Sequence, residues 1–287
     1  MTLCVAAKCL YQDQQALLMA SDWKIEDYVS GSETAHKQGT FPDGWHFMYA
    51  GTQARAIELV LSIREHLEQN PLLPPRHISP TLKEAIRKHR EKLVDEYIHS
   101  QIARSYEWLL NEGRDALPAE YFSQLINSVS SVRLDAQLII CGFYEGDAII
   151  FLIDESGGEP IARPIENFAA IGSGSIIAQS ALHHRVHRME TPLKMALYHV
   201  YEAKRLGESA PGVGSQTTMT ILLADGRNGW LTEWGTLFMQ NCYKQYAPKV
   251  LEETGDWVLI PDNFIELSKP SIVLTTTDPL PPQSWQA

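Results

Sequence analysis

Short apolar segments separated by polar turns open the chain, which is the pattern of strands in a buried sheet. TLCVAAKC (2–9) and ALLMAS (16–21) are nearly continuous apolar runs on either side of the polar turn YQDQQ, and WHFMYAG (45–51) is a third run that ends at glycine. Short apolar runs of this kind are typical of strands that are covered on both faces. The first fifty residues therefore predict β-structure that lies inside the fold.

Helical spacing replaces this pattern after Gly51. The stretch TQARAIELVLSIREHLEQN predicts an amphipathic helix, whose apolar side would consist of Ala54, Ile57, Leu61, Ile63 and Leu67. Beyond a proline-rich break, Ser79 is suited to cap a second helix and Pro80 to its first turn. The apolar side of this second, long helix would consist of Leu82, Ile86, Leu93, Tyr97 and Trp108.

The second half of the chain repeats the order of strands followed by helices. AQLIICGF and DAIIFLID, separated by YEG, predict a hairpin, and FAAIGSGS predicts a strand that ends in small residues. A helix over SIIAQSALHHRVHRM follows, and then one over LKMALYHVYEAKRL, capped by Thr191–Pro192 and stopped by Gly207. TTMTILLADG and GWLTEW predict a closing hairpin. This order favours two sheets packed face to face with helices outside, and not a regular βαβ alternation.

Composition and charge exclude several classes of function. With 287 residues and a net charge of -11, we expect no nucleic-acid partner and no anionic lipid surface. No stretch approaches the roughly 18 apolar residues of a membrane span, and no phosphate-binding glycine loop is present. The four cysteines show no paired spacing, so we expect reduced thiols in a cytoplasmic protein.

The most reactive feature of the sequence is a threonine at position 2. Threonine is a weak nucleophile unless a base stands beside it, and a free α-amino group on the same residue can be that base. Methionine is generally removed when a small residue follows it, so loss of Met1 would leave Thr2 with a free amine. On its own, Thr2 is more simply a β-favouring residue at the start of a strand.

Several ordered segments make the chain resemble the proteasome β-subunit family of N-terminal nucleophile hydrolases, including the bacterial peptidase HslV. ALLMASD matches the family strand that ends in the catalytic aspartate, here Asp22, and SETAHK matches the segment that ends in the catalytic lysine, Lys37. Gly51 of MYAG matches the oxyanion-hole glycine, and FAAIGSGS places Ser173 on the serine that supports the nucleophile. MTLCVAAK is also similar to the start of the Anbu subgroup of bacterial homologues.

The resemblance implies an α+β fold, a four-layer αββα sandwich of two antiparallel sheets flanked by helices. It implies a single domain over residues 1–287, with an enlarged helical region at about 70–130 and a C-terminal extension at about 236–287. It also implies a threonine peptidase whose catalytic residues are Thr2, Asp22, Lys37, Gly51 and Ser173, and whose substrate-binding residues are Ala35 and Tyr49. Tyr49 would form the floor of the pocket for the side chain that precedes the scissile bond.

The family's further properties set the remaining expectations. We expect a peptide or protein substrate and a homo-oligomeric ring or spiral, whereas the sequence does not indicate whether an ATPase partner exists. We expect no cofactor and no metal. The charge of Lys37 should be needed for chemistry but not for folding.

Two observations leave other interpretations open. The family has a supporting aspartate and serine after its fourth helix, but GESAPGVGSQ (207–216) aligns with that motif poorly, with Glu208, Ser209 and Ser215 as candidates. A catalytically idle structural subunit therefore remains an alternative, as does a small-molecule amidase or transpeptidase with the same nucleophile. His183 and His187 have the i, i+4 spacing of a metal pair, but no third ligand is evident, and a solvated helix face or a subunit contact is the simpler interpretation.

Overall fold

The computed structural model describes residues 2–26, 31–33, 36–41, 44–69, 75–155 and 161–248. Within it, the chain through Tyr246 forms one compact unit. The predicted substrate-binding residue Ala35, and most of the predicted C-terminal extension, lie outside the described residues. Among the described helices, none has the length and apolar composition that crossing a bilayer requires.

Strands and helices follow the predicted order up to the closing hairpin, where an unpredicted helix begins inside the segment GWLTEW. The strands are β1 Leu3–Tyr11, β2 Gln14–Asp22, β3 Lys24–Glu26, β4 Gly31–Glu33, β5 Gln38–Thr40, β6 His46–Gly51, β7 Ala136–Tyr144, β8 Asp147–Asp154, β9 Ile161–Ile165, β10 Phe168–Gly172, β11 Thr217–Leu223 and β12 Asn228–Trp230. The helices are α1 Gln53–Gln69, α2 Pro75–Ile102, α3 Tyr106–Asn111, α4 Gly113–Ala116, α5 Ala119–Val129, α6 Ser175–His184, α7 Leu193–Gly207 and α8 Glu233–Tyr246.

The larger strands of the described chain form two five-stranded antiparallel sheets. The first sheet has the order β10-β1-β2-β11-β12, and the second has the order β5-β6-β7-β8-β9. The predicted hairpin between β7 and β8 is present, and its turn uses Glu145 and Gly146, both at positive φ (51° and 90°). Two central residues at positive φ give a turn whose twist matches that of the paired strands.

The two sheets pack face to face, and helices cover their outer faces. Between the sheets lie Cys4, Ala6, Leu17 and Met19 of the first and Met48, Ile139, Cys141 and Ile150 of the second. The outer face of the first sheet packs against α6 and α7, while α1 and α2 pack on the second. The predicted fold class, a four-layer αββα sandwich, is therefore confirmed.

Two of the predicted helical details in the first half are wrong. Ile57 and Leu61 are exposed on α1, whose buried residues are Ala56, Leu59, Val60, Ile63 and Leu67. The stripe that packs on the sheet is therefore rotated from the predicted one. The second helix begins at Pro75 and runs through Pro80, and Trp108 belongs to the separate helix α3, which Ser105 caps.

Two details of the second half also differ from prediction. Thr191 Oγ1 accepts the N–H of Arg188 instead of capping α7, and α6 ends at His184. Gly207 is the last residue of α7, as predicted, and it packs closely against β1. A Cβ built there would lie 2.3 Å from Leu3 Cδ2, so the Leu3 side chain would have to shift to make room.

Candidate active site

Thr2 lies at the start of β1, where neighbouring strands bring other candidate residues beside it. β1 pairs along β2, so Asp22, the last residue of β2, lies next to the start of β1. β1 also pairs with β10, with Leu3 opposite Gly172, which places Ser173 on the other side of Thr2. Thr2 is buried. The antiparallel register therefore gathers residues that are far apart in the sequence.

Lys37 connects Thr2 with Asp22. Its Nζ lies 2.5 Å from Thr2 Oγ1 and 3.0 Å from Asp22 Oδ1. Lys37 is 2% exposed and Asp22 is 0% exposed. An exposed ion pair contributes little to a fold, but this pair is buried and directed at a hydroxyl group, so it is not a surface salt bridge.

The carboxylate of Asp22 has donors on both oxygens. Oδ1 accepts the N–H of Leu3 at 2.9 Å in addition to Lys37, and Oδ2 accepts the N–H of Gly214 at 3.0 Å. A buried charge is tolerated only where such partners replace water. These contacts fix the orientation of the carboxylate toward Lys37. The contribution of Gly214 was not predicted from the sequence.

Gly51 ends β6 at a position that requires glycine. Its φ is +103°, and a Cβ built there would lie 2.4 Å from the carbonyl oxygen of Asp135. The Tyr49 N–H donates to Lys37 O at 3.1 Å, while the Thr52 N–H donates to Asp135 O at 2.9 Å. Because the N–H groups of residues two apart in a strand point to the same edge, the Gly51 N–H is directed toward the Lys37 side of β6.

Two small residues at the end of β10, Gly172 and Ser173, lie against the carbonyl of Thr2. Gly172 has a φ of +91°, and a Cβ built there would lie 2.0 Å from Thr2 O. Ser173 Oγ lies 3.5 Å from Thr2 O and donates to Pro211 O at 3.1 Å. Gly172 also donates its N–H to Gln137 Oε1 at 2.9 Å, which connects the two sheets at this point. Ser173 therefore contacts the backbone of Thr2 and the loop after α7.

The loop after α7 is organised around a lysine that the sequence analysis missed. Lys204 is 0% exposed, and its Nζ donates to carbonyl oxygens of the loop and pairs with Glu208. The signal for its burial was present in the helical period, since Val200 and Gly207 lie four residues before and three after it on the packed face. The Ser209 hydroxyl donates back to Leu206 O at 2.7 Å.

Tyr49 and Cys4 lie close to the candidate site without exposed side chains. Tyr49 is 8% exposed within the aromatic core beside α1, and its hydroxyl lies 3.5 Å from His36 O. Cys4 Sγ donates to Tyr49 O at 3.3 Å, and burial raises the pKa of its thiol far above the ordinary value. A thiol that stays protonated is a poor nucleophile, so the surroundings of Cys4 favour a packing role for it.

The two histidines with metal-pair spacing have other partners. His187 is buried beyond the end of α6, with Nε2 2.9 Å from Lys8 O and Nδ1 3.3 Å from His199 Nδ1. His183 packs edge-on against the ring of Phe168. The interpretation of a solvated helix face is therefore wrong for His187. In the described part of the chain, no three His, Cys, Asp or Glu side chains are grouped as a metal site would require.

Comparisons with known proteins show a likeness in fold and nothing further. The sequence matches no known family profile and no curated protein. A Gly-1 mutant of Anbu from Hyphomicrobium sp. strain MC1 superposes with a TM-score of 0.55 and 17% identity over 85% of this chain and 95% of that chain. Anbu (ancestral beta-subunit) from Yersinia bercovieri superposes with a TM-score of 0.55 and 16% identity, over 88% of this chain and 100% of that chain. The chain therefore has the sandwich fold of proteasome-like N-terminal nucleophile hydrolases.

Proposed function

We propose that this protein is a threonine-type amide hydrolase, most simply a peptidase, in which Thr2 becomes the nucleophile once Met1 is removed. The observation that carries the proposal is the buried Lys37 ammonium, 2.5 Å from Thr2 Oγ1. Burying a charged group is costly unless it is paired. An unreactive threonine at a strand start has no need of such a neighbour, whereas a threonine that must form an alkoxide does.

The proposed reaction uses the two functional groups of one residue. The free α-amine has an ordinary pKa of about 7.7–8.0, so it can accept the Thr2 hydroxyl proton near neutral pH. Thr2 Oγ then bonds to the substrate carbonyl carbon while the carbonyl oxygen becomes an oxyanion. The Gly51 N–H is suited to donate to this oxyanion, and a donor of this kind contributes about 2.7–4 kcal/mol. The amine returns the proton to the leaving nitrogen.

Water completes the cycle by attacking the acyl ester on Thr2. The α-amine accepts a proton from that water, and the carboxylic acid leaves as Thr2 Oγ is reprotonated. Throughout, the charge of Lys37 favours the alkoxide form of Thr2, and Asp22 keeps Lys37 oriented through the contact at 3.0 Å. The Ser173 hydroxyl lies 3.5 Å from the carbonyl oxygen of Thr2 and so contacts the backbone of the nucleophile.

The proposal includes self-assembly in the cytoplasm. The Yersinia relative is described as a beta-subunit, and proteins of that description act inside assemblies. Large apolar side chains on and next to α8 are exposed in the isolated chain, which supports an interface there. They are Trp230 at 67%, Trp234 at 74%, Leu237 at 53% and Phe238 at 52% exposure.

Intact-mass measurement with two inhibitor classes tests the nucleophile. A β-lactone acylates a threonine hydroxyl, whereas an epoxyketone closes a ring on both the hydroxyl and the free α-amine. We expect the purified chain to lack Met1 and to gain one molecule of either reagent, mapped to Thr2. The matched control is Thr2→Val, which keeps the branched shape at the strand start but has no hydroxyl.

The outcomes separate the alternative functions. Retention of Met1 in most molecules would exclude the mechanism. Loss of Met1 without either adduct would favour a catalytically idle structural subunit. Adducts on Thr2 combined with no cleavage of a peptide library would favour a small-molecule amidase or a transpeptidase.

A further inference from the structure

A second buried lysine lies beneath the candidate active site. Lys204, on the last turn of α7, is 0% exposed. Its Nζ lies 2.9 Å from Gly214 O, 3.1 Å from Ser215 O and 3.0 Å from Gln216 O. It also forms an ion pair with Glu208. Four acceptors from one short segment therefore converge on a single ammonium group.

This arrangement requires a cation at its centre. An ammonium group has three N–H donors and no acceptor, and here the carbonyl dipoles of three successive residues point their negative ends at it. A neutral amine has only two N–H donors and a lone pair, so it would leave acceptors of this buried site unsatisfied. Burial lowers the pKa of Lys204, and the neighbouring Glu208 carboxylate opposes that shift. The loop over 208–216 is thus folded around the ammonium group.

The same loop contacts the candidate catalytic residues at two points. Gly214, whose carbonyl accepts from Lys204, donates its N–H to Asp22 Oδ2 at 3.0 Å. Pro211 O accepts the Ser173 hydroxyl at 3.1 Å. Any movement of the loop would therefore move a donor to Asp22 and an acceptor of Ser173 together.

We propose that Lys204 is a positioning residue, an internal cation that holds the loop over 208–216 in the shape that orients Asp22 and Ser173 around Thr2. The proposal rests on the proposed function of Thr2 as the nucleophile. It also accounts for GESAPGVGSQ, which lacks the family's supporting motif: in this chain a backbone N–H of the loop reaches Asp22, and a lysine from the preceding helix fixes that N–H.

Substitutions that differ in the space they leave test this role. Lys204→Ala removes three carbons and the nitrogen, which are the heavy atoms of n-propylammonium, and leaves room for that ion in the cage. Lys204→Met removes the charge but fills the space. The control is Lys194→Ala, an exposed lysine on the same helix. The readout is the acylation of Thr2 by a β-lactone, which can be measured without a known substrate. Its dependence on β-lactone concentration gives the maximal rate constant kinact and the half-saturating concentration KI.

We expect both Lys204 variants to lose about tenfold or more in kinact, as expected for losing one hydrogen bond to a charged group, with KI little changed. Added n-propylammonium should restore kinact in Lys204→Ala and not in Lys204→Met. Tetramethylammonium, which has no N–H, should restore neither. Lys194→Ala should behave as the wild type. A purely packing role for Lys204 would not give rescue that depends on an N–H cation.

Three results would overturn the proposal: an unchanged kinact in folded Lys204→Met, no rescue of Lys204→Ala by n-propylammonium, or equal rescue by tetramethylammonium. If the substitutions weaken the fold, the same pattern is expected in thermal stability, where n-propylammonium should raise the Tm of Lys204→Ala and of neither Lys204→Met nor the wild type. Failure of the proposed function has a different signature, because wild-type Thr2 would then not be acylated. In that case hydrogen exchange of residues 208–216 in Lys204→Ala, with and without the ion, decides whether the cage is ordered by a cation.

Discussion

The two helical layers of the sandwich pack on their sheets through side chains of different size. The α1/α2 side of the second sheet packs through large side chains, among them Phe41, Trp45, Phe47, Leu59 and Ile63. The α6/α7 side of the first sheet packs through many alanines, among them Ala7, Ala16, Ala20, Ala178 and Ala203. Small side chains let a helix approach its sheet closely, and Gly207 illustrates this against Leu3.

Charge is distributed in the same unequal way. On the α7 side, Lys204, Glu202, His187 and His199 are buried, and the candidate active site lies at the end of that layer. On the α1/α2 side, the described chain buries His89 and Asp154 among mostly apolar residues. One layer therefore supplies stability through apolar burial, while the close-packed layer holds charged groups in fixed positions.

The largest effect is expected at the buried ion pair. Lys37→Ala should reduce Thr2 acylation by at least about 10²-fold, as for other electrostatic groups of an active site. It should also lower the free energy of unfolding by about 3–5 kcal/mol, because Asp22 would be left buried without its cation. This revises the expectation that Lys37 matters for chemistry alone, since Asp22 is 0% exposed. Kinetics and urea unfolding measure the two effects.

The control lies on the other layer. Lys92 and Glu96 on α2 form an ion pair at 3.6 Å with side chains 61% and 48% exposed, so Lys92→Ala should cost less than about 1 kcal/mol. Similar costs for Lys92→Ala and Lys37→Ala would contradict the division of the molecule into a charged and an apolar layer.

Close packing around Thr2 gives the second prediction. Gly172→Ala and Gly226→Ala both place a side chain at positive φ, +91° and +85°, at a cost of about 1–2 kcal/mol. At Gly226 nothing lies within 4 Å of the added Cβ, whereas at Gly172 the carbonyl of Thr2 lies 2.0 Å away. Gly172→Ala should therefore cost about 1–3 kcal/mol more.

Gly172→Ala should also reduce the rate of Thr2 acylation, by about 10²-fold if the carbonyl group of Thr2 moves by an ångström. Gly226→Ala should leave acylation unchanged. Equal effects of the two variants on stability and acylation would mean that the close approach of Gly172 to Thr2 has no consequence for the site.

Sequence reasoning was more successful where packing alone decides the structure. Two apolar runs separated by a turn predicted β7 and β8, and a period of 3.6 residues predicted α1, because burial of apolar side chains determines those elements. The stripe on α1 was nevertheless placed incorrectly, since Ile57 and Leu61 are apolar and exposed. Apolarity alone does not show which of two adjacent stripes faces the sheet.

The candidate site was predictable only in part, for a related reason. Asp22 and Lys37 were found because ALLMASD and SETAHK resemble segments of the proteasome β-subunit family, and the structure brings both residues to Thr2. Lys204 was missed because a lysine in an amphipathic helix is usually solvated. Its acceptors are backbone carbonyls of residues 214–216, and carbonyl groups leave no mark in a sequence.

The third prediction concerns the buried histidines of the α7 layer. His187 Nε2 faces Lys8 O and must carry a proton, so in the neutral ring Nδ1 is an acceptor and His199 Nδ1 is its donor. Burial lowers the pKa of His187, and burial together with the neighbouring His187 and Arg185 lowers the pKa of His199 to about 4. A proton added to His187 Nδ1 would face another N–H.

Stability should therefore fall as the medium becomes acidic. The unfolded chain protonates these rings near pH 6.5, before the folded chain does, so stability present above pH 6.5 is lost progressively toward pH 4. His199 alone accounts for about 2 kcal/mol by pH 5. The measurement is the urea midpoint at pH 7 and pH 5 for the wild type and for His199→Asn, whose amide can still donate to His187.

His199→Asn should lose less stability than the wild type between pH 7 and pH 5. His89, whose pKa is also lowered by burial, contributes in the same direction in both proteins, so the difference between them isolates the His187–His199 pair. The exposed His184→Asn is the control and should follow the wild type. Identical pH dependence in all three proteins would show that the pair does not titrate as its surroundings imply.

The smallest effect is expected at Tyr49, which packs in the apolar layer and lies close to the candidate active site. Tyr49 is 8% exposed on the α1 side of β6, and it is predicted to form the floor of the pocket for the side chain before the cleaved bond. Under the proposed function, its ring should limit depth and favour small residues there. Tyr49→Leu shortens the side chain and should raise kcat/KM for Leu relative to Ala at that position by up to about tenfold, the usual scale for a methylene or two in a pocket.

A matched variant separates this effect from loss of packing. Phe47 lies two residues before Tyr49, so it is on the same face of β6, it is equally buried at 8% exposure, and it is further from Gly51. Both Phe47→Leu and Tyr49→Leu remove an aromatic ring from the same core and should lower stability alike. The ratio of kcat/KM values is measured within one protein and does not depend on the fraction folded. If the ratio changes in Tyr49→Leu alone, Tyr49 forms the floor of the pocket. If the ratio is the same in both variants and in the wild type, Tyr49 contributes to packing only.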